Sequence, residues 1–150
     1  MTSPAELTPR EAFARFQAAL LANTPTTADD MYAEDVVIEL PFARPGMPRR
    51  FEGRETFRSF AAAARTALPV RFEAFRHVTV HETADPEVII AEYELAGTVT
   101  TTNRPASEAF VLILRVRDGQ VVHLREYQNL LGIAAALGQL PELLASVSTE

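Results

Sequence analysis

The residues in this chain best suited to chemistry are one carboxylate, Glu126, set into an apolar pattern, and one tyrosine, Tyr93, on a neighbouring β-rich run. In V-V-H-L-R-E-Y-Q the strand period of two puts Val122, Leu124, Glu126 and Gln128 on one face and Val121, His123, Arg125 and Tyr127 on the other. The first face starts more apolar and is expected to point inward. A carboxyl group there has a raised pKa, because desolvation penalises its charged form, and this poises it for proton transfer near neutral pH. The same pattern is satisfied if Glu126 pairs with an arginine and only braces the sheet. Tyr93 shares a face with Ile89, Ala91 and Leu95, so its hydroxyl could meet Glu126 or a ligand carbonyl, or could bond to backbone as a core aromatic. Gln128 adds an amide at the strand end.

The three histidines do not suggest a metal. His77 and His81 lie four apart on a strand, roughly 13 Å by strand rise, and with His123 they fall on the outward faces. Glu92 and Glu94 alternate with the inward residues and are expected outside, opposite Arg115 or Arg125. No cysteine is present, which excludes disulfides, thiolate metal sites and cysteine nucleophiles and fits a cytoplasmic protein. With no Gly-rich phosphate loop either, no cofactor is implied. A net charge of −6 argues against nucleic acid or an anionic membrane as partner, since both need a concentrated basic face; Arg44, Arg49, Arg50 and Arg54 form the one basic cluster.

The elements that must position these groups follow from period and punctuation. At 150 residues and 47% hydrophobic composition the chain suits one globular domain. Thr8-Pro9-Arg10-Glu11 is a capping box, and Phe13, Phe16 and Leu20 continue it at helical spacing. Thr26 or Thr27 suits the cap of a second short helix through Tyr32, and a third helix is predicted over 54–67, with Phe57, Phe60, Ala61 and Ala64 facing in. Strands are predicted over 36–40, 70–83, 88–101, 110–116 and 121–128, the last two joined at Asp118-Gly119 as a hairpin. Asn129 suits a helix cap and Gly138 a helix stop, with the ends expected to fray over about 1–7 and 147–150. This is an α+β order: three N-terminal helices on the concave face of a strongly curved antiparallel sheet, enclosing a pocket. Candidates to line it are Phe16, Leu40, Phe57, Phe60, Phe110, Leu112, Leu124 and Gln128, with Phe42 and Met47 from a 42–48 lid loop. Ala109, Val111, Ile113 and Tyr127 on the outer face point to a homodimer.

The order of elements, A-E-D-x-x-I-E entering the first strand, G-R-E-x-F opening the third helix and the final hairpin resemble the nuclear-transport-factor-2-like superfamily, in the branch of SnoaL-like polyketide cyclases and ketosteroid isomerases. E-T-A-D-P-E-V-I-I-A-E-Y and R-E-Y-Q-N followed by A-L-G are similar to segments of the phenazine-biosynthesis A/B proteins. The resemblance implies a cone-shaped pocket and acid/base chemistry of isomerase, cyclase or hydrolase type on a small apolar carbonyl compound or epoxide, in secondary metabolism. It equally admits a carrier that uses the same pocket without chemistry. A dimerisation module that fills the cone with its own side chains is disfavoured, since a filled core would not hold Glu126 and Tyr93 as polar groups without partners. Glu126 matches the acid/base glutamate of the phenazine proteins and the basic aspartate of limonene-epoxide hydrolases, although the partner histidine of the one and the Arg-x-Asp pair of the other have no match. The tyrosine and two aspartates of ketosteroid isomerases become Phe16, Leu40 and Leu112, so the classical 3-oxosteroid reaction is not expected.

Overall fold

The computed structural model describes residues 6–23 and 29–147. Helix α1 (Pro9–Leu21) starts as its sequence requires: the Thr8 hydroxyl accepts from the Glu11 amide at 3.2 Å, and the Glu11 carboxylate accepts from the Thr8 amide at 3.0 Å. The helix expected after it is only a 3-10 turn, Asp29–Met31, and its expected cap at Thr26 or Thr27 falls outside the described residues, as do most of the residues expected to fray. Strands β1 (Tyr32–Glu39) and β2 (Arg50–Glu52) follow, then α2 (Arg54–Ala67), β3 (Val70–Glu82), β4 (Val88–Val99), β5 (Arg104–Arg117), β6 (Gln120–Gln128), α3 (Leu130–Ala136) and α4 (Leu140–Val147).

The α+β class holds, but the architecture corrects the expectation in three respects. The six strands form one mixed sheet in the order β2-β1-β6-β5-β4-β3, with β1 parallel to β6 and every other pair antiparallel. The sheet is open, with β2 and β3 as unjoined edges, rather than a strongly curved cone. Among the described residues only α1 precedes the first strand; α2 is inserted after β2, and α3 and α4 follow the sheet. The physical reason lies in β1. Its apolar Val36 and Ile38 are buried beside β6, with Ile38 opposite Leu124, so the strand joins the sheet interior from the N-terminal side and α2 has to cross afterwards.

The hairpin between β5 and β6 forms on Asp118 (φ 52°) and Gly119 (φ 75°), both left-handed, which is the turn that matches strand twist. One residue of its register differs from simple alternation. Arg115 pairs with His123 but Val116 pairs with Val121, leaving Val122 as an extra residue on β6. This bulge turns Val121 into the core, where it is fully buried, in place of Val122. Beyond the bulge Leu124, Glu126 and Gln128 keep the expected inward face.

Helices α1, α2 and α3 pack on that inner face. The core between them holds Phe13, Met31, Val36, Ile38, Leu112, Leu114, Val121 and Leu124, and each fully buried side chain of this size contributes roughly 1.5–3 kcal/mol. Arg54 at the start of α2 donates to the Tyr32 carbonyl at 3.0 Å, and Gly53 donates to the Val36 carbonyl at 2.9 Å, so the G-R-E segment pins α2 against β1. Tyr32 then lies 5.0 Å, ring to ring, from Phe57. No helix of the described residues is long and apolar enough to cross a membrane.

Candidate functional site

A cavity of about 390 Å³ lies between the inner face of the sheet and the three helices. Phe16 and Leu20 of α1, Phe57, Phe60, Ala61 and Ala64 of α2, and Ile133 and Ala136 of α3 with Leu137 at its end form its helical walls. Ile38, Leu40, Phe72, Leu95, Phe110 and Leu124 form its sheet side. Five side chains bring polar atoms to this apolar lining: Glu126, Tyr93, Gln128, Glu108 and Arg65.

Glu126 is placed by β6, opposite Leu112 of β5 and between Leu124 and Gln128 on its own strand. No described residue gives its carboxylate a hydrogen bond or an ion pair. Its remaining open surface faces the cavity, so apolar side chains and not bulk water surround it. Burial alone therefore pushes its pKa up to about 7, the shift expected for a desolvated carboxyl group. The arginine brace weighed from the sequence is absent among the described residues, because Arg125 lies on the opposite face and donates to Glu39 at 3.0 Å.

Tyr93 is 3% exposed and held by a ring of aromatics: Phe75 at 4.9 Å, Phe110 at 5.5 Å and Phe13 at 5.7 Å between centroids. Such pairs are worth about 0.5–1.5 kcal/mol each beyond their burial and fix the ring in one orientation. Burial, reinforced by the charge of Glu126, keeps its pKa well above the usual tyrosine value, so the hydroxyl stays protonated and acts as a donor. Tyr32, on the β1 side of Glu126, is raised by the same two causes in the same order.

Phe16, Leu40, Phe57, Phe60, Phe110, Leu124 and Gln128 line the cavity with Glu126 and Tyr93. Leu112 does not reach it, being wholly buried beneath. Phe42 is 56% exposed and packs on Tyr127 at the outer side, ring centroids 5.3 Å apart. Met47, 49% exposed, borders a second depression of about 360 Å³ that shares Leu40, Phe60, Ala64, Gln128 and Leu137 with the cavity. The 42–48 loop thus flanks the cavity without covering it.

Arg65, Glu108 and Tyr32 were not anticipated. Arg65 stands eight residues after Phe57 and four after Ala61, on the same face of α2. Glu108 stands two before Phe110 on the inward face of β5, a strand that starts earlier than its apolar run suggests. On the outer face, His81 meets Glu92 at 2.7 Å, His77 lies 3.8 Å from Glu94, and His123 meets Glu39 at 2.5 Å. Glu92 and Glu94 thus face outward with histidine partners in place of Arg115 and Arg125; Arg115 binds Asp85 and Glu87. Among the described residues no three histidine or acidic side chains converge on a point where a metal would sit.

Residues 13–124 match the SnoaL-like domain, and the chain belongs to that family. An uncharacterised PhzA/B-like protein of Pseudomonas aeruginosa is 37% identical over 109 residues, 73% of this chain and 75% of its relative. The uncharacterised protein YesE of Bacillus subtilis is 28% identical over 128 residues, 85% of this chain and 86% of that one. Among solved structures, a Bacillus subtilis protein provisionally assigned as an isomerase superposes with a TM-score of 0.78 at 27% identity, over 87% of this chain and 93% of that one. A phenazine-biosynthesis-related protein of Pseudomonas aeruginosa shares the fold at a TM-score of 0.65 and 19% identity, over 87% and 84% of the two chains.

Proposed function

We propose that this protein is a cofactor-independent acid/base enzyme of isomerase or cyclase type, acting on a small, largely apolar carbonyl compound, with epoxide opening as the hydrolase variant of the same proton transfer. The observation that carries the reading is Glu126: a carboxyl group without a protein partner, in a cavity of about 390 Å³, with a pKa near 7. Both its forms are populated at neutral pH, which suits a group that takes a proton from one atom and returns it to another. In this mechanism the Glu126 carboxylate removes a proton from the carbon next to the substrate carbonyl, and the Tyr93 hydroxyl donates a hydrogen bond to the carbonyl oxygen as negative charge builds there. Gln128 supplies a second donor at the cavity wall. The apolar walls exclude water and strengthen both interactions.

The test is exchange of α-protons from bulky apolar ketones in heavy water, followed by proton NMR. Catalysed exchange should rise with pH up to about 7, as Glu126 loses its proton, and then level off. A panel showing no exchange above the buffer rate at any pH would sink the proposal.

The outer face supports a homodimer in this reading. Val111, Ile113 and Tyr127 stay partly exposed there and, with Ala109, give an apolar strip on β5 and β6 that a second copy would cover. Sedimentation at micromolar concentration should show a dimer, and a monomer alone would remove the assignment.

A further inference from the structure

The charges around the cavity say what its ligand carries. The chain has an excess of acid, 20 carboxylate side chains against 14 arginines, so an arginine without a carboxylate partner is not explained by scarcity. On the surface an arginine either meets Glu or Asp, as Arg10, Arg50, Arg115, Arg117 and Arg125 do, or stands open to water, as Arg49, Arg76 and Arg104 do. Arg65, half-buried on the cavity wall, does neither. Its Nη2 donates to the Asn23 side-chain oxygen at 2.7 Å and to the Val70 carbonyl at 2.8 Å, and its guanidinium lies 4.7 Å from the centre of the Phe72 ring. All three partners are neutral. They orient the group and leave its charge uncompensated, with Nε buried and without an acceptor and Nη1 without a bond to any described residue. Arg44, bordering the adjoining depression, is held in the same way, by the Gln139 side-chain oxygen at 2.6 Å. The other acid on the cavity lining besides Glu126 is Glu108, whose carboxylate accepts from Asn129, the cap of α3, at 3.1 Å.

A role for Arg65 as a mere brace at the end of α2 uses Nη2 and leaves the other nitrogens unexplained. From this arrangement we propose that the cavity takes an apolar small acid, its carboxylate held by Arg65 through Nη1 and its reactive end against Glu126. This rests on the reading of the cavity as a small-molecule site and adds the class of molecule. Arg65 and Glu126 line the same cavity of about 390 Å³, a volume that accommodates a fused bicyclic acid.

The experiment compares 2-naphthoate with 2-naphthamide by calorimetry on the full chain at pH 6, where Glu126 holds its proton and the ligand acid has lost its own. The naphthoate should bind about ten-fold or more tightly than the amide. Arg65→Gln should bring the two level without weakening the amide, while Glu126→Gln should leave the preference intact. Where Arg65→Gln fails to fold, Arg65→Lys keeps the charge and should keep the preference for the acid, and the wild-type comparison still decides. Equal binding of the two, or a preference that survives Arg65→Gln, overturns the anion assignment and leaves the proton-transfer reading of Glu126 to its own test with neutral ketones. Binding of neither overturns the assignment as well.

Discussion

Glu126→Gln should cut catalysed α-proton exchange on the order of 10²-fold or more while leaving ligand affinity within a few-fold of the wild type. The amide keeps the shape of the side chain and its capacity for hydrogen bonding, so a ligand that only rests against it loses little. What it cannot do is take up and return a proton, and a positioned acid or base contributes about that factor. The mutant should also lose the rise in rate with pH, because the group that titrates near 7 is gone. Tyr93→Phe should cost less, since it removes one donor and leaves the ring in its aromatic cage. If Glu126→Gln turns over at the wild-type rate while binding is unchanged, the cavity is a binding site and the base lies elsewhere.

Much of this site was legible because local signals and global fold agree. Thr8 and Glu11 cap each other, Asp118-Gly119 turns the hairpin, and Arg54 opens α2, each a short-range choice that tertiary structure had no reason to override. Glu126 was visible because strand alternation carries a face over several residues without reference to the rest of the fold. What was not visible depended on partners far away in sequence. The parallel pairing of β1 with β6 joins residues more than eighty positions apart, and nothing in 32–39 announces it. The three-residue β2 is held by β1 rather than by its own propensity. Alternation puts Val122 inward and Val121 outward, and the bulge at Val122, which no local signal announces, reverses the two and buries Val121. Arg65 and Glu108 were missed for a different reason. Their positions fit the inward faces, but a charged residue on an inward face reads as the end of that face until the cavity it borders is seen.

Replacing Glu126 by Leu should stabilise the protein at alkaline pH, by an amount that grows from pH 4.5 to 8. In the unfolded chain this carboxyl group loses its proton near 4.5, whereas in the folded protein it keeps it to about 7. The raised folded value means that the contribution is fully favourable below 4.5, declines as pH rises through 7 and is constant above. Over that window the wild type loses about 3 kcal/mol that Glu126→Leu does not lose. The carboxylates of Glu39, Asp85 and Glu87, which their hydrogen-bond partners hold below the usual range, push stability the other way at lower pH, but they are common to both proteins and cancel in the difference. Leucine suits the site sterically, since Leu112, Leu124 and Leu40 surround it, and it leaves no cation behind because Glu126 has no ion pair among the described residues. Urea unfolding of both proteins at pH 4.5 and pH 8, at one protein concentration, measures the effect. If Glu126→Leu instead fails to fold at either pH, Glu126 holds the sheet together through a contact of its own, and its assignment as the proton-transfer group has to be withdrawn.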